Sequence, residues 1–234
     1  MDNNRIKGLV LDFDGTMCLL FQNYSLLPIS KELSSEMKAF RIIFPDEADP
    51  FDVFECILEQ TQPGAKRKQA LIRANSLLVE AELEAIDSCL PVDYLNDCIV
   101  YCKKNNIPFG IATNNSVLCV KKFLTKYCNN AFVHVVGRIA ETPTKMKPNP
   151  WSISEISNLL HIPPENLLLI GDSERDYSAS QQIGCDFIGM APTEKKYNRL
   201  CKFLTPNEIF VNFQEILPLL TTISKNNSKP LYVI

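Results

Sequence analysis

The chain predicts an α/β fold, a parallel sheet covered by helices on both faces with a block of helices inserted near its amino end. Three observations predict it. Short apolar runs of β character recur along the sequence, helical periodicities lie between most of them, and residues 18–90 carry helical patterns with no convincing strand. Strands that alternate with helices pair in parallel, and their near-continuous apolar character suits burial on both faces.

The first run, residues 8–11, is Gly8, Leu9, Val10 and Leu11, and it ends in Asp12, Phe13, Asp14, Gly15 and Thr16. Alternate side chains of an extended segment point to one side, so the carboxylates of Asp12 and Asp14 converge beyond the strand's carboxyl end. Two anions held so close repel each other. A divalent oxygen-seeking cation such as Mg2+, or a shared proton, relieves that repulsion, and either makes a reactive site. Helical patterns follow at 31–44, 51–59 and 65–86, punctuated by Pro28, Pro45, Pro50, Pro63, Gly64 and Pro91. An insertion that starts next to paired carboxylates starts at the rim of their site, where it can act as a lid. The expected division is a discontinuous core, residues 1–17 and 91–234, and an inserted helical unit, residues 18–90.

After the insertion, residues 92–104 place Leu95, Cys98, Ile99 and Cys102 on one helical face. Strands are expected at 109–112, 132–136, 167–170 and 187–190, with a further candidate at 209–213, and helices at 117–127, 152–160 and 177–183. The tail from 221 to 229 is polar and reads as peripheral.

Composition narrows the function classes. With 234 residues and an apolar fraction of 46%, the chain can bury a conventional core in one or two domains. Its 27 acidic and 24 basic residues, net charge −3, are too balanced for electrostatic capture of nucleic acid or an anionic membrane. No apolar run is long enough to span a bilayer, and the amino terminus lacks the apolar stretch of a secretory leader. Nine cysteines without a C-x-x-C pair fit core packing in a reducing cytoplasm better than zinc or redox chemistry. A monomer or weak dimer is expected, and no P-loop or G-x-G-x-x-G fingerprint is present.

Ligands of open parallel sheets bind beyond the carboxyl ends of the strands. Four such ends carry matching groups: Asp12 and Asp14; Thr113, Asn114 and Asn115; Lys147 before Pro148; and Gly171, Asp172 and Asp176. Phosphoryl transfer needs a nucleophile, positive charge on the phosphate oxygens and proton management at the leaving group. A threonine hydroxyl with neighbouring amides, Asn114 included, can hold phosphate oxygens, and Lys147 supplies charge. Asp172 adds a third carboxylate for a hard cation. The basic side chains of Lys66, Arg67, Lys68 and Arg73, and of Lys195, Lys196, Arg199 and Lys202, read as solvated surfaces.

With D-x-D-G-T at residues 12–16, Thr113, Lys147 and G-D-x-x-x-D at residues 171–176, the chain resembles the phosphatase branch of the haloacid dehalogenase superfamily, on its capped, phosphoglycolate-phosphatase-like side. The resemblance implies a Rossmann-like, doubly wound core with an inserted helical cap, and a Mg2+-dependent phosphatase acting on a small phosphorylated metabolite. It would make Asp12 the nucleophile that becomes an aspartyl-phosphate, and Asp14 the acid that protonates the leaving alcohol and then activates water. Thr113 and Lys147 would clamp the phosphate. Asp12, Asp172 and the main-chain carbonyl of Asp14 would hold the metal, with Asp176 as a further ligand or a partner behind them. An acid at position 14 favours phosphate over halide chemistry. A phosphomutase related to beta-phosphoglucomutase would use the same intermediate, and a binding protein that had lost the reaction would share the fold.

Overall fold

The computed structural model describes residues 5–128 and 133–227. Six parallel strands form one sheet: β1 (Gly8–Leu11), β2 (Phe109–Ala112), β3 (His134–Val136), β4 (Leu167–Gly171), β5 (Asp186–Met190) and β6 (Ile209–Phe210), in the order β3-β2-β1-β4-β5-β6. The order reverses direction at β1, which lies between β2 and β4. Leu11 is in register with Ile111 on one side and Ile170 on the other, so the residues just past these strands line up along one edge. The amide of Asp12 donates to the Ile170 carbonyl (2.9 Å), carrying the sheet pairing up to the first carboxylate.

β1, β2 and β4 are buried throughout, which their apolar sequences require. Alternation divides their side chains between two cores. Leu9, Leu11, Ile111 and Ile170 face one together with Ile99, Phe123 and Phe213. Val10, Ala112 and Leu169 face the other with Ile153, Ile156 and Ala179. Helices α4 (Leu95–Lys104), α5 (Val117–Tyr127), α6 (Trp151–Leu160) and α7 (Glu174–Ile183) cover the sheet; α1 (Leu27–Ala39), α2 (Val53–Gln60) and α3 (Ala65–Ser88) form the insertion. The insertion has its own core of Leu33, Met37, Phe54, Ile57, Leu71 and Leu77. The end of α3 leaves that core, and Ala85 and Ile86 pack with the sheet.

Four differences from the sequence reading have local causes. α1 starts at Leu27 because Pro28 sits in its first turn, where a missing N–H costs nothing, and it stops at Ala39 because the chain turns at Arg41 (φ 53°). The candidate strand at 209–213 shortens to β6, and Phe213 instead begins a 3-10 turn that buries its ring. A short helix, α8 (Glu194–Leu200), was not expected because its sequence is almost wholly polar; Thr193 caps it. The tail reading is corrected. α9 (Leu217–Asn227) places Leu220 and Ile223 fully inside the main core, since a helix needs only one narrow apolar stripe to be buried. Residues 228 and 229, like Phe132 at the start of the expected third strand, lie outside the described residues. Among the described residues, no helix is long and apolar enough to cross a membrane.

Candidate active site

Beyond β1 the side chains of the next three residues part to opposite sides, and that division builds the centre of the site. Phe13 turns into the core and meets Phe123 edge to face, with centroids 5.2 Å apart. Asp12 and Asp14 line the cavity on the other side. Gly15 then adopts φ +93°, and a β-carbon there would strike the Asp172 carboxylate and the Lys196 ammonium. Only glycine fits both the conformation and the space.

Lys147 reaches in from the loop after β3. Its buried Nζ donates to Asp12 Oδ1 (2.5 Å), Asp176 Oδ1 (2.5 Å) and the Ala112 carbonyl (2.8 Å), which uses all three of its protons. Asp176 is placed by α7: Ser173 and Asp176 form a capping box at the helix start, with Ser173 Oγ donating to Asp176 Oδ2 (2.5 Å). Each carboxylate oxygen of Asp176 thus has one task, capping or holding the lysine. Asp172, at the end of β4, pairs with Lys196 of α8. The carboxyl of Asp14 accepts the Leu20 N–H (2.9 Å), which ties it to the start of the insertion.

Burial dominates the electrostatics of this cluster. Burial raises the pKa of Asp12, and the neighbouring carboxylates of Asp176 and Asp172 raise it further, while Lys147 pulls it back. Asp172 is raised in the same way, by burial first, with Lys196 opposing. Withdrawal from water pushes Asp14 up to about 6. Burial works against the Lys147 ammonium, but Asp12 and Asp176 outweigh it and hold its pKa above the ordinary lysine value. Asp12, Asp172 and Asp176 each offer an oxygen, all within 4.8 Å of one another. Buried carboxylates so arranged, and so reluctant to ionise without added positive charge, suit a hard divalent cation.

The loop from 113 to 116 joins β2 to α5. Thr113 Oγ1 accepts the Asn115 N–H (3.1 Å) and donates to Asn115 Oδ1 (3.0 Å). The Asn114 side chain is engaged with the backbone of Lys147: its Oδ1 accepts the Lys147 N–H (2.8 Å), and its Nδ2 donates to the Lys147 carbonyl (3.0 Å). Asn114 therefore holds Lys147 in place. The cavity in front of these groups, about 450 Å³, is bordered by Asp12, Asp14, Asn114, Lys147 and Asp172 from the sheet edge and by Asp49 and Phe51 from the insertion.

The structure thus brings Asp12, Asp14, Asn114, Lys147, Asp172 and Asp176 to one cavity, with Thr113 buried beside Asn115. The reading of Lys196 as a solvated lysine is corrected, because it pairs with Asp172, and Arg199 borders the same cavity. Neither was legible without α8, whose turn carries both toward the site. Glu82 and Arg138 were also missed. Glu82 had a sequence signal, since it falls between Leu78 and Ile86 at spacings of four on the buried stripe of α3, where a charge needs a partner.

Comparison with known proteins agrees with this architecture. The family model described as haloacid dehalogenase-like hydrolase matches residues 9–190. An uncharacterized hydrolase of Saccharomyces cerevisiae is 28% identical over 184 residues, 77% of this chain and 75% of that protein. A phosphoglycolate phosphatase of Pectobacterium atrosepticum is 26% identical over 129 residues, 55% of this chain; the match spans about half (54%) of that enzyme. Among solved structures, a HAD hydrolase of family IA, variant 3, from Entamoeba histolytica superposes with a TM-score of 0.65 at 21% identity, covering 93% of this chain and 99% of that one. CbbY from Rhodobacter sphaeroides, in complex with phosphate, gives 0.63 at 18% identity, covering 92% and 99%. With a family model that runs from β1 through β5 and takes in all the strand-end groups described above, the chain belongs to the haloacid dehalogenase-like hydrolase family.

Proposed function

We propose that the protein is a Mg2+-dependent phosphatase that hydrolyses a small phosphomonoester through an aspartyl-phosphate on Asp12, in a reducing cytoplasm, with residues 18–90 acting as a cap over a core made of 1–17 and 91–234. The observation that carries this reading is the position of Asp12. Its carboxylate faces the cavity at the sheet's switch point, against the Lys147 ammonium and beside Asp172 and Asp176.

In the first step an oxygen of Asp12 attacks phosphorus in line with the ester oxygen, the bond to the alcohol breaks, and Asp14 gives its proton to the departing oxygen. In the second, the Asp14 carboxylate takes a proton from water, the water oxygen attacks phosphorus, and the bond to Asp12 breaks to release phosphate. Lys147 offsets charge on the phosphoryl oxygens, and the 113–116 loop with Thr113 orients them. Asp12, Asp172 and the main-chain carbonyl of Asp14 would hold Mg2+, with Asp176 as a further ligand or a partner behind them, and the ion would supply positive charge that favours the ionised form of Asp12. The small cavity and its cover by Asp49 and Phe51 support a metabolite-sized substrate.

The test is hydrolysis of a panel of metabolite phosphates, 2-phosphoglycolate included, with Mg2+ and with EDTA. Turnover is expected only with the metal, and Asp12→Asn is expected to abolish it. Phosphate release that survives in Asp12→Asn would exclude the covalent route, and transfer of the phosphoryl group to another position of the substrate would identify a mutase.

A further inference from the structure

Behind the 113–116 loop lies an ion pair that the proposed chemistry does not use. Glu82 of α3 and Arg138, which follows β3, meet at 2.8 Å with both side chains wholly excluded from solvent. Removing two charges from water is costly, and the cost is tolerated when each remaining polar atom is also satisfied. Asn75 of α3 takes one of them, its Oδ1 accepting from Arg138 Nε (2.8 Å), and the 113–116 loop supplies others. Glu82 Oε1 accepts the Asn115 side-chain N–H (3.1 Å), and Oε2 accepts the Ser116 amide (3.0 Å). Arg138 Nη1 donates to the Asn114 carbonyl (2.7 Å), and its own amide donates to the Asn115 carbonyl (2.9 Å). Gly137 lets the two loops touch, since a β-carbon there would lie 2.7 Å from the Asn115 carbonyl oxygen.

The pair therefore connects to the front of the site along two routes. Glu82 holds Asn115, whose amide and side chain fix the Thr113 hydroxyl. Arg138 holds Asn114, whose side chain brackets the backbone of Lys147. We propose that Glu82 and Arg138 are positioning residues for phosphate recognition, Glu82 acting through Asn115 on Thr113 and Arg138 acting through Asn114 on Lys147. A residue of the inserted helices thereby sets the geometry of a loop in the core. This rests on the phosphatase reading, and it adds a requirement that the substrate-facing residues alone do not impose.

Removing one member of the pair leaves a buried charge and can unfold the protein, so the test replaces both with apolar side chains, Glu82→Leu with Arg138→Met, an exchange that buried ion pairs often tolerate. Wild-type hydrolysis of p-nitrophenyl phosphate and calorimetric binding of inorganic phosphate, both with Mg2+, come first; a wild type that does neither overturns the phosphatase reading and this inference with it. Where the wild type is active, the double variant is expected to melt cooperatively but to lose about 100-fold in kcat/KM, with phosphate binding weakened by at least about tenfold. A folded double variant within about threefold of wild type in both would show the pair to be structural only and overturn the proposal. Should the double variant not fold, Asn115→Ala, which keeps Glu82 and Arg138 and removes the side chain that links Glu82 to Thr113, decides: a loss of at least about tenfold in phosphate affinity supports the proposal, and unchanged affinity overturns it.

Discussion

Asp14 and Asp12 are separated by one residue and differ in what touches them. Asp12 bonds directly to Lys147, whereas Asp14 accepts the Leu20 amide and, although the charge of Lys196 opposes the shift, has its pKa pushed up to about 6 by withdrawal from water. A carboxyl with that setting can still carry a proton near neutrality, which suits it to the leaving oxygen rather than to phosphorus. Asparagine keeps the shape and the acceptor for Leu20 but cannot give up a proton. Asp14→Asn is therefore expected to lower kcat/KM on an alkyl phosphate by about 10²–10⁴. On p-nitrophenyl phosphate, whose phenolate departs without a proton, the same change is expected to leave the first step much less affected, so that the phosphoenzyme accumulates. Equal losses of phosphoenzyme formation on both substrates, measured by rapid-quench trapping, would rule out the acid role. Asp12, Asp14 and Asp172 were legible because each sits just past a strand end, where local sequence fixes side-chain direction; Lys147, farther along the loop after β3, was legible only as a member of the same set of motifs. Lys196 was not, since its partner lies 24 positions away in sequence and is reached only through the turn of a short helix.

At the scale of elements, the junction of β4 and α7 shows how a motif becomes geometry. Gly171 has no side chain where the first turn of α7 folds back, and a β-carbon there would lie 2.6 Å from Cβ of Asp176. That approach lets Asp176 cap its helix with one oxygen and hold Lys147 with the other. Gly171→Ala must push α7 away from the strand end, an overpacking that costs about 1–3 kcal/mol. The expected outcome is a folded protein with a lower denaturation midpoint and a larger loss of kcat/KM than that destabilisation accounts for, measured at a temperature where the variant is fully folded. Retained activity would show that Asp176 does not set the position of Lys147. Strand runs and long amphipathic helices were legible from periodicity. α8 and α9 were not: one is short and polar, and the other buries Leu220 and Ile223 through contacts that only the assembled core provides. Glu82 lay in plain view on the α3 stripe, but its partner Arg138 lies 56 positions away, so pairing depended on the tertiary fold.

Over the whole molecule, the sheet gathers carboxylates from β1 and from the β4–α7 junction into a space that two lysines do not fully neutralise. Asp12, Asp14 and Asp172 all have raised pKa values, with burial the largest cause in each case. A group whose folded pKa exceeds its unfolded value binds more protons when folded, so its stabilising effect is complete below the unfolded value and is lost as pH rises through the folded one. For Asp14 that window runs from about 4 to about 6. Metal-free protein is therefore expected to lose stability as pH rises across this range, because burying these carboxylates in charged form is unfavourable. A bound divalent cation reverses the balance, since it favours the ionised state and competes with protons for the same oxygens. At a metal concentration 100 times its Kd the stabilisation is about 2.7 kcal/mol, which for a chain of this length corresponds to a rise of about 5–11 °C in Tm. Thermal melts at pH 5 and pH 7.5, each in EDTA and in saturating Mg2+, should show a gap that is small at the lower pH and several degrees at the higher. A gap independent of pH would mean that the metal binds away from Asp12, Asp172 and Asp176, and no gap at either pH would mean that these carboxylates do not form a metal site.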